Sequence, residues 1–192
     1  MIALDHEYLA EDAVDGDTPG QRPDVQKVYC EVMQMGACKL DAHGREIATF
    51  NLDVQAHRLH RIPAWLTSLT GMTEARRARG VPFRTAFARL IAFIGDDTNL
   101  WTFSGDWWVL EGNAVSHGLR IPFPPFKRVK PLLSSHHVTL EQFQQVGFNE
   151  VCSGGLAQVL GIQLPLIEGV GVHDAAHDAR SLAHAIHHFG LT

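Results

Sequence analysis

The order of strand-like and helical segments is the feature that most limits how this chain can fold. Runs of apolar and alternating residues predict strands at 2–9, 28–40 and 46–52. Apolar residues at helical spacing predict helices at 63–69, 82–94, 107–117, 140–146, 156–160 and 178–189, and an apolar run at 100–103 predicts a buried strand. Strands that come first as a hairpin and then alternate with helices are typical of a mixed α/β sheet flanked by helices.

Turn and capping residues support these boundaries. Residues 41–44, Asp-Ala-His-Gly, predict a tight antiparallel turn between the second and third strands. Pro63 suits the first turn of a helix, whereas Gly71 and Gly95 follow the last apolar residues of two predicted helices. We therefore expect a hairpin followed by well-delimited helices.

The composition fits one globular domain. With 192 residues the chain can bury a substantial core, so we expect a single domain over residues 1–192. No apolar run reaches the roughly 20 residues of a membrane span, and the N-terminus has no basic region followed by an apolar one. Three widely spaced cysteines form no Cys-x-x-Cys pair, which argues against a disulfide framework. We expect a cytoplasmic protein without a signal peptide or a membrane partner.

The net charge of −5 argues against a long non-specific nucleic-acid footprint. The acidity is local, because seven acids and one base fall within residues 1–25, and the remainder carries a charge of +1. Part of this acidic region, residues 11–20, is rich in turn-forming residues and predicts a mobile surface loop.

Acidic residues stand where predicted elements begin or end. Asp5 and Glu7 share one face of the first strand, since successive side chains in a strand point to opposite faces. Two neighbouring carboxylates repel each other unless protons or cations intervene. Asp106 follows a buried strand, and Asp178 follows a segment with two glycines. Open α/β sheets bind ligands at such places, although Asp106 alone suits a helix N-cap and Asp178 alone suits a first helical turn.

Four segments together resemble the motifs of a known family, in the same order. They are Asp5-His6-Glu7, Leu69-Thr70-Gly71-Met72-Thr73, Asp106 with Leu110, and His173-x-Ala175-x-x-Asp178. The chain resembles the DEDD 3′–5′ exonucleases of the His subtype (DEDDh, DnaQ-like), whose motifs include Asp-x-Glu, Leu-Thr-Gly-Ile-Thr and His-x-Ala-x-x-Asp. Residues 34–44 are similar to the second strand and hairpin of that family. Residues 121–126 are similar to the Pro-Pro-Phe region of its histone-mRNA branch.

The resemblance implies a ribonuclease H-like mixed sheet and a divalent-metal-dependent 3′–5′ exonuclease. The four carboxylates of Asp5, Glu7, Asp106 and Asp178 would hold two Mg²⁺ or Mn²⁺ ions, which prefer oxygen ligands. His173 would be the general base that takes a proton from the attacking water. Glycines 169 and 171 would let the loop that carries it move.

The resemblance also implies a nucleotide pocket. Leu69, Thr70, Gly71 and Met72 would line the pocket for the terminal nucleotide, and Trp107 or Trp108 would stack on a base. The expected partner is the 3′ end of a single strand, with RNA or short oligonucleotides favoured slightly over DNA, and the expected product is a nucleoside 5′-monophosphate. The chain departs from the family just after Glu7, where Tyr8-Leu9-Ala10 replaces the common Thr-Thr-Gly.

Other interpretations remain open at this stage. His173 and His177 are four residues apart, which would suit zinc if both lay in one helix. The domain would otherwise be a DNA-directed proofreading or repair enzyme, or a catalytically silent nucleic-acid-binding module. Core packing is the alternative for at least one of the two tryptophans. Two basic runs, 76–79 and 127–130, would contact phosphates or be solvated faces. The oligomeric state is open, with a homodimer as one arrangement.

Overall fold

The structure, a computed structural model, describes residues 1–10, 29–56, 61–167 and 171–191. The interpretation of residues 11–20 as a loop and the role assigned to Gly169 fall outside these residues. The described strands are β1 (Ile2–Ala10), β2 (Cys30–Leu40), β3 (Glu46–Gln55), β4 (Val81–Pro82), β5 (Leu100–Thr102) and β6 (Lys127–Arg128). The described α-helices are α1 (Ala64–Thr70), α2 (Glu74–Arg79), α3 (Phe83–Ile94), α4 (Asp106–Ser116), α5 (Leu140–Gln145), α6 (Leu156–Val159) and α7 (Ala175–His188).

The described strands form one mixed sheet in the order β4-β3-β2-β1-β5-β6. Strands β2 and β3 pair antiparallel, as the predicted hairpin requires, and β1 also pairs antiparallel with β2. Strand β5 pairs parallel with β1, and β6 pairs parallel with β5. The predicted mixed α/β sheet is thus confirmed. The carboxyl ends of β1, β5 and β6 lie at the same edge of the sheet, because these three strands run in one direction.

Each face of the sheet packs against its own helices. Ile2 and Leu4 belong to a core with the apolar side of α3 and part of α4. Ala3, between them, belongs to a second core with α7 on the opposite face. This alternation confirms that Asp5 and Glu7 continue the face of Ala3, whereas His6 continues the face of Leu4. Among the helices of the described ranges, none has both the length and the apolar character of a membrane span.

The N-terminus of α7 lies against the middle of β2. Gly36 makes this contact possible, because a Cβ at this position would clash with the backbone of Ala175 and Ala176. The close approach brings the first turn of α7, with Asp178, next to the central strands β1 and β2.

The structure differs from the predicted elements in two ways. Helix α7 begins at Ala175, three residues before the predicted start, because the Asp174 side chain accepts a hydrogen bond from Ala176 N and caps the helix. Helix α2 and the two-residue strands β4 and β6 were not predicted. Elements this short contain too few residues to show a hydrophobic period.

Candidate metal and catalytic site

Three buried carboxylates meet where the middle of β1 lies beside the end of β5 and the starts of α4 and α7. Asp5 is 6% exposed, Asp106 is 7% exposed and Asp178 is 3% exposed. Glu7, two residues farther along β1, is half-buried. Charge repulsion from Asp106, Asp178 and Glu7 acts on Asp5, so the four side chains form one electrostatic cluster.

The partners of Asp106 favour its ionised form. Its Oδ1 accepts a hydrogen bond of 3.2 Å from the backbone N–H of His6, and the Thr102 hydroxyl donates to its Oδ2. The His6 ring Nδ1 lies 3.8 Å from Oδ1, beyond hydrogen-bond distance. Burial alone would raise the pKa of Asp106, but these partners outweigh burial and lower it.

The pKa values of Asp5 and Asp178 are shifted in the opposite direction from that of Asp106. Burial, followed by the charges of Asp106, Asp178 and Glu7, raises the pKa of Asp5 well above its usual range. Burial, with repulsion from Asp174 and Asp106, raises the pKa of Asp178 to about 7. Both groups therefore favour a bound proton or a cation over two bare charges.

Ser153 bridges this pair from the turn before α6. Its hydroxyl donates to Asp5 Oδ1 at 2.9 Å and lies 3.4 Å from Asp178 Oδ2. Gly154 lets the same turn pass directly over Asp178, because a Cβ there would collide with the carboxylate. The turn therefore covers the two acids and fixes their separation.

The donor set suits hard divalent cations. Oxygen atoms of Glu7 and Asp178 and a ring nitrogen of His173 lie within 4.8 Å of one another, while Asp5 is linked to Asp178 through Ser153. Carboxylate oxygens are the ligands that Mg²⁺ and Mn²⁺ prefer. Burial and the neighbouring acids raise the pKa values of Asp5 and Asp178, and a bound cation would offset both effects. The residues thus fit the implied metals.

His173 stands immediately before α7, as the sequence predicted from the preceding glycines. It has a positive φ of 64°, an uncommon conformation for a residue other than glycine. Its backbone N–H donates to Asp178 Oδ1 at 3.2 Å. This turn brings the imidazole beside Glu7 and Asp178.

The zinc interpretation of His173 and His177 is not supported by this geometry. His177 lies within α7 and hydrogen-bonds the backbone of Gly154, whereas His173 lies outside the helix. Within the described ranges, the group of potential ligands around His173 contains carboxylates and does not include His177.

A polar network fixes the start of α7 on the sheet. The Asp174 carboxylate accepts hydrogen bonds from Gln34 Nε2 at 2.8 Å and from Asn51 Nδ2 at 3.1 Å. Gln34 Oε1 in turn accepts from Ala175 N at 3.0 Å. Arg76 reaches Asp174 at 3.7 Å and holds Asp53 with two hydrogen bonds. The network connects α2, directly after the Thr-Gly loop, to the segment that carries His173.

The Thr-Gly loop, residues 69–73, joins α1 to α2. Gly71 ends α1 with a φ of 67°, and Thr70 Oγ1 accepts from Met72 N at 3.1 Å. Leu69 is 43% exposed, whereas Met72 is 1% exposed and packs in a small core with Leu9, two residues beyond Glu7. The loop therefore lies beyond the acidic end of β1 and presents Leu69 to the surface.

The two tryptophans after Asp106 have different surroundings. Trp107 packs edge-on against Phe126 and Phe123 and contacts the first core, which confirms core packing for one of the pair. Trp108 is half-buried beneath the guanidinium of Arg128.

Several residues that shape the site were not predicted from sequence patterns. Ser153 is 148 residues from Asp5, and Gln34 is 140 residues from Asp174. Thr102 and His6 contact Asp106 from two different strands. The contacts of Ser153, Gln34 and His6 are created by tertiary structure, so no local spacing predicts them, whereas Thr102 is only four residues from Asp106.

Comparisons with known proteins give a match in structure only. No protein-family model matches the sequence, and no curated protein matches it. The structure is similar to the nuclease domain of 3'hExo, a DEDDh family member solved bound to rAMP, with a TM-score of 0.68 and 17% identity over 98% of this chain and 90% of that one. A structure of 3'-end specific recognition of a histone mRNA stem-loop by a 3'-exonuclease has a TM-score of 0.68 and 16% identity, over 98% and 80% of the two chains.

A further similar structure is the E. coli ExoI-ssDNA complex, with a TM-score of 0.60 and 14% identity over 95% of this chain and 38% of that one. At these identities the similarity establishes the fold. The ribonuclease H-like fold implied by the sequence motifs is thus confirmed, and it is the fold of DEDDh nuclease domains.

Proposed function

We propose that this chain is a DEDDh-type 3′–5′ exonuclease, a single catalytic domain over residues 1–192. The observation that carries the proposal is the convergence of five separated positions, Asp5, Glu7, Asp106, His173 and Asp178, at one edge of a sheet with the fold of such enzymes. A purely structural role does not account for this cluster, because burying several carboxylates together lowers the stability of the protein.

Asp5, Glu7, Asp106 and Asp178 would hold two Mg²⁺ or Mn²⁺ ions, which neutralise phosphate charge and lower the pKa of bound water. Within the protein, Ser153 and Thr102 orient the Asp5 and Asp106 carboxylates through their hydroxyls. The turn at 153–155 excludes bulk water from Asp178, because Gly154 lies directly against its carboxylate. The chain thereby presents a preformed set of oxygen ligands.

His173 is proposed as the general base. Its ring nitrogen takes a proton from the attacking water, whose oxygen forms a bond to the last phosphorus of the strand. The bond from this phosphorus to the preceding 3′ oxygen breaks, and that oxygen takes a proton from solvent. The products are a nucleoside 5′-monophosphate and a strand that is one nucleotide shorter.

The terminal nucleotide is proposed to bind between the acids and the Thr-Gly loop. Leu69, Thr70 and Gly71 would form the wall of its pocket, with the exposed Leu69 side chain against the base and the buried Met72 supporting the loop from below. Trp107, packed on Phe123 and Phe126, would complete the site on the side of α4.

We propose a single-stranded 3′ end as the substrate, with RNA or short oligonucleotides preferred slightly over DNA. The 3'hExo nuclease domain was solved with rAMP, which favours a ribonucleotide, whereas the E. coli ExoI complex contains ssDNA. A DNA-directed proofreading or repair role is therefore the second candidate.

Digestion of 5′-labelled single-stranded RNA and DNA of one sequence, with Mn²⁺ and with EDTA, tests the proposal. Wild type should give a ladder that shortens from the 3′ end, and EDTA should abolish it. Asp106→Ala should lower the rate by at least about 10³-fold, and His173→Ala should lower it by about 10²–10⁴-fold.

His173→Ala should retain the thermal stabilisation that Mn²⁺ gives to wild type, because the metal-binding carboxylates are intact. Degradation that persists unchanged in both variants would come from a contaminant and would overturn the proposal. Binding of the labelled strands without any cleavage would instead establish the silent nucleic-acid-binding module.

A further inference from the structure

Strand β6 forms one edge of the sheet and, with Lys130 two residues beyond it, carries a basic run, Lys127, Arg128 and Lys130. It pairs parallel with β5, so that Trp101 lies opposite Lys127 and Thr102 lies opposite Arg128. The pairing continues past the strand, since Lys130 N donates to Phe103 O at 3.0 Å. The basic run therefore lies alongside the segment that leads into Asp106.

Arg128 is held at the start of α4. Its guanidinium lies 4.9 Å from the ring centroid of Trp108, two residues after Asp106. A guanidinium on an aromatic face keeps its N–H donors around its edge, where they can reach a phosphate in a planar, bidentate manner. Arg128 itself is exposed to solvent.

Lys130 follows the end of β6 by two residues and contacts a different aromatic ring. Its ammonium group is 5.8 Å from the ring of Phe103, which is buried three residues before Asp106. Arg128 and Lys130 thus contact aromatic residues on the two sides of Asp106 in the sequence. Neither has an ion pair with an acidic side chain among the residues that the structure describes.

The second basic run, on α2, is different because two of its three arginines already have acidic partners. Arg76 pairs with Asp53 and lies 3.7 Å from Asp174, and Arg77 pairs with Glu74 at 2.6 Å. A cation neutralised by a neighbouring carboxylate contributes little to phosphate binding. Of the two basic runs, residues 127–130 are therefore the better candidate for contacts with a polyanion.

Lys127 provides an internal comparison on the same strand. Its ammonium group donates to Asn99 Oδ1 at 3.0 Å and lies over Trp101. Asn99 precedes β5 and accepts a hydrogen bond from Ile2 N at the start of β1, so Lys127 is directed to the end of the sheet opposite the acids.

We propose that Arg128 and Lys130 bind the phosphates of the substrate strand upstream of the nucleotide being removed. The proposal rests on the proposed function and adds a path for the rest of the strand. β6 is two strands from β1, or roughly 10 Å at normal strand spacing. An extended single strand covers more length per nucleotide than the about 3.4 Å of duplex DNA, so this separation corresponds to fewer than about three nucleotides. A dinucleotide has no phosphodiester upstream of the bond that is cleaved and would therefore not engage these residues, whereas a longer strand would.

The test compares a dinucleotide with a 5′-labelled 12-mer that has the same 3′ sequence. The double variant Arg128→Gln/Lys130→Gln should lose about tenfold in kcat/KM on the 12-mer and stay within about twofold of wild type on the dinucleotide. The dependence of log(kcat/KM) on log salt for the 12-mer should become shallower by about 1.4, since each phosphate contact on a single strand contributes about 0.7.

The matched control is Lys127→Gln/Arg89→Gln, which removes the same charge from the far end of β6 and from the exposed side of α3. We expect the control to remain within about twofold of wild type on both substrates. An equal loss in the control, an equal loss on the dinucleotide, or an unchanged salt dependence would overturn the proposal.

Binding distinguishes failure of this proposal from failure of the proposed function. If wild type cleaves neither substrate, the exonuclease proposal fails, and fluorescence anisotropy with the labelled 12-mer still measures the surface. Weaker binding by Arg128→Gln/Lys130→Gln than by the control would support the β6 path. Equal binding by the two double variants would refute it.

Discussion

Individual acidic residues of the carboxylate cluster lower the stability of the metal-free protein. Asp5 and Asp178 are buried beside other acids, and the pKa of each is raised by burial and by those neighbouring charges. The fold does not need carboxylates at these two positions, because amide side chains of the same shape would fill the space without charge repulsion. The cost is consistent with selection for cation binding.

Asp178→Asn should separate stability from activity. In EDTA we expect the variant to melt about 5 °C above wild type at pH 8, because a buried charge among acids is removed. Its activity should fall by at least about 10³-fold. Thermal denaturation and the digestion assay measure the two effects.

The control is Asp96→Asn, which removes an exposed carboxylate after α3. It should leave both the melting temperature and the activity close to wild type. A metal-free Asp178→Asn protein that melts below wild type would contradict the electrostatic account.

The stability of the metal-free protein should fall as pH rises toward neutrality. The folded protein raises the pKa of Asp178 to about 7, whereas an unfolded chain has a pKa of about 3.9. Between these values the native state binds a proton that the unfolded chain releases, so the unfolding free energy decreases with rising pH. In EDTA, the melting temperature of wild type should decline from pH 5 to pH 8 more steeply than that of Asp178→Asn. Parallel curves would contradict this assignment.

The sequence allowed the acids to be predicted, but not the residues that hold them. Asp5 and Glu7 are found by the two-residue period of a strand, and His173 and Asp178 by a motif with fixed spacing. Ser153 has no such spacing, because its contacts with Asp5 and Asp178 depend on how the turn before α6 crosses α7. Local patterns contain no information on that crossing.

At the scale of secondary-structure elements, the position of α7 on β2 decides the geometry of the site. The helix carries Asp178 in its first turn and follows directly on His173. Gly36 sets the distance between the helix and the strand, and the Asp174 network sets the position of the helix along it.

Gly36→Ala should therefore damage both stability and activity. The new methyl group would clash with the backbone at Ala175, and we expect a loss of about 2 kcal/mol in the unfolding free energy. Urea denaturation measures this loss, and a fall in activity larger than the unfolded fraction explains would show that the acids have moved apart.

Gly112→Ala is the matched control because Gly112 lies inside α4 with open space where a Cβ would be. Here alanine should raise the stability by about 1 kcal/mol, since glycine is a poor helix former. If Gly36→Ala behaved like this control, the close packing of α7 on β2 would not determine the site.

The predictability of the elements followed their length. The three long strands and the helices with several apolar turns were predicted nearly at their observed bounds. Helix α2, with six residues and none of them buried, has no apolar face to detect. Strand β6 has two exposed residues, so its place at the sheet edge comes from pairing with β5 and not from its own pattern.

At the scale of the whole molecule, the topology collects the chemistry at one edge of the sheet. The parallel arrangement of β1, β5 and β6 places Asp5 and Glu7 in β1 near the end of β5, which leads to Asp106, and places Arg128 at the end of β6 with Lys130 just beyond it. The negative net charge of −5 is therefore compatible with a polyanionic substrate, since Arg128 and Lys130 are concentrated where the strand would pass. The sequence order of strands and helices predicted this sheet, but the order of strands within it required the structure.

Hydrolysis from a free 3′ end is tested most directly with one oligonucleotide in linear and circular form. Both are incubated with wild type and Mn²⁺ under identical conditions, and the products are separated by length. We expect the linear strand to be shortened one nucleotide at a time with release of nucleoside 5′-monophosphates, while the circle stays intact. Cutting of the circle at a comparable rate would show an endonuclease and would refute the proposed 3′–5′ exonuclease activity.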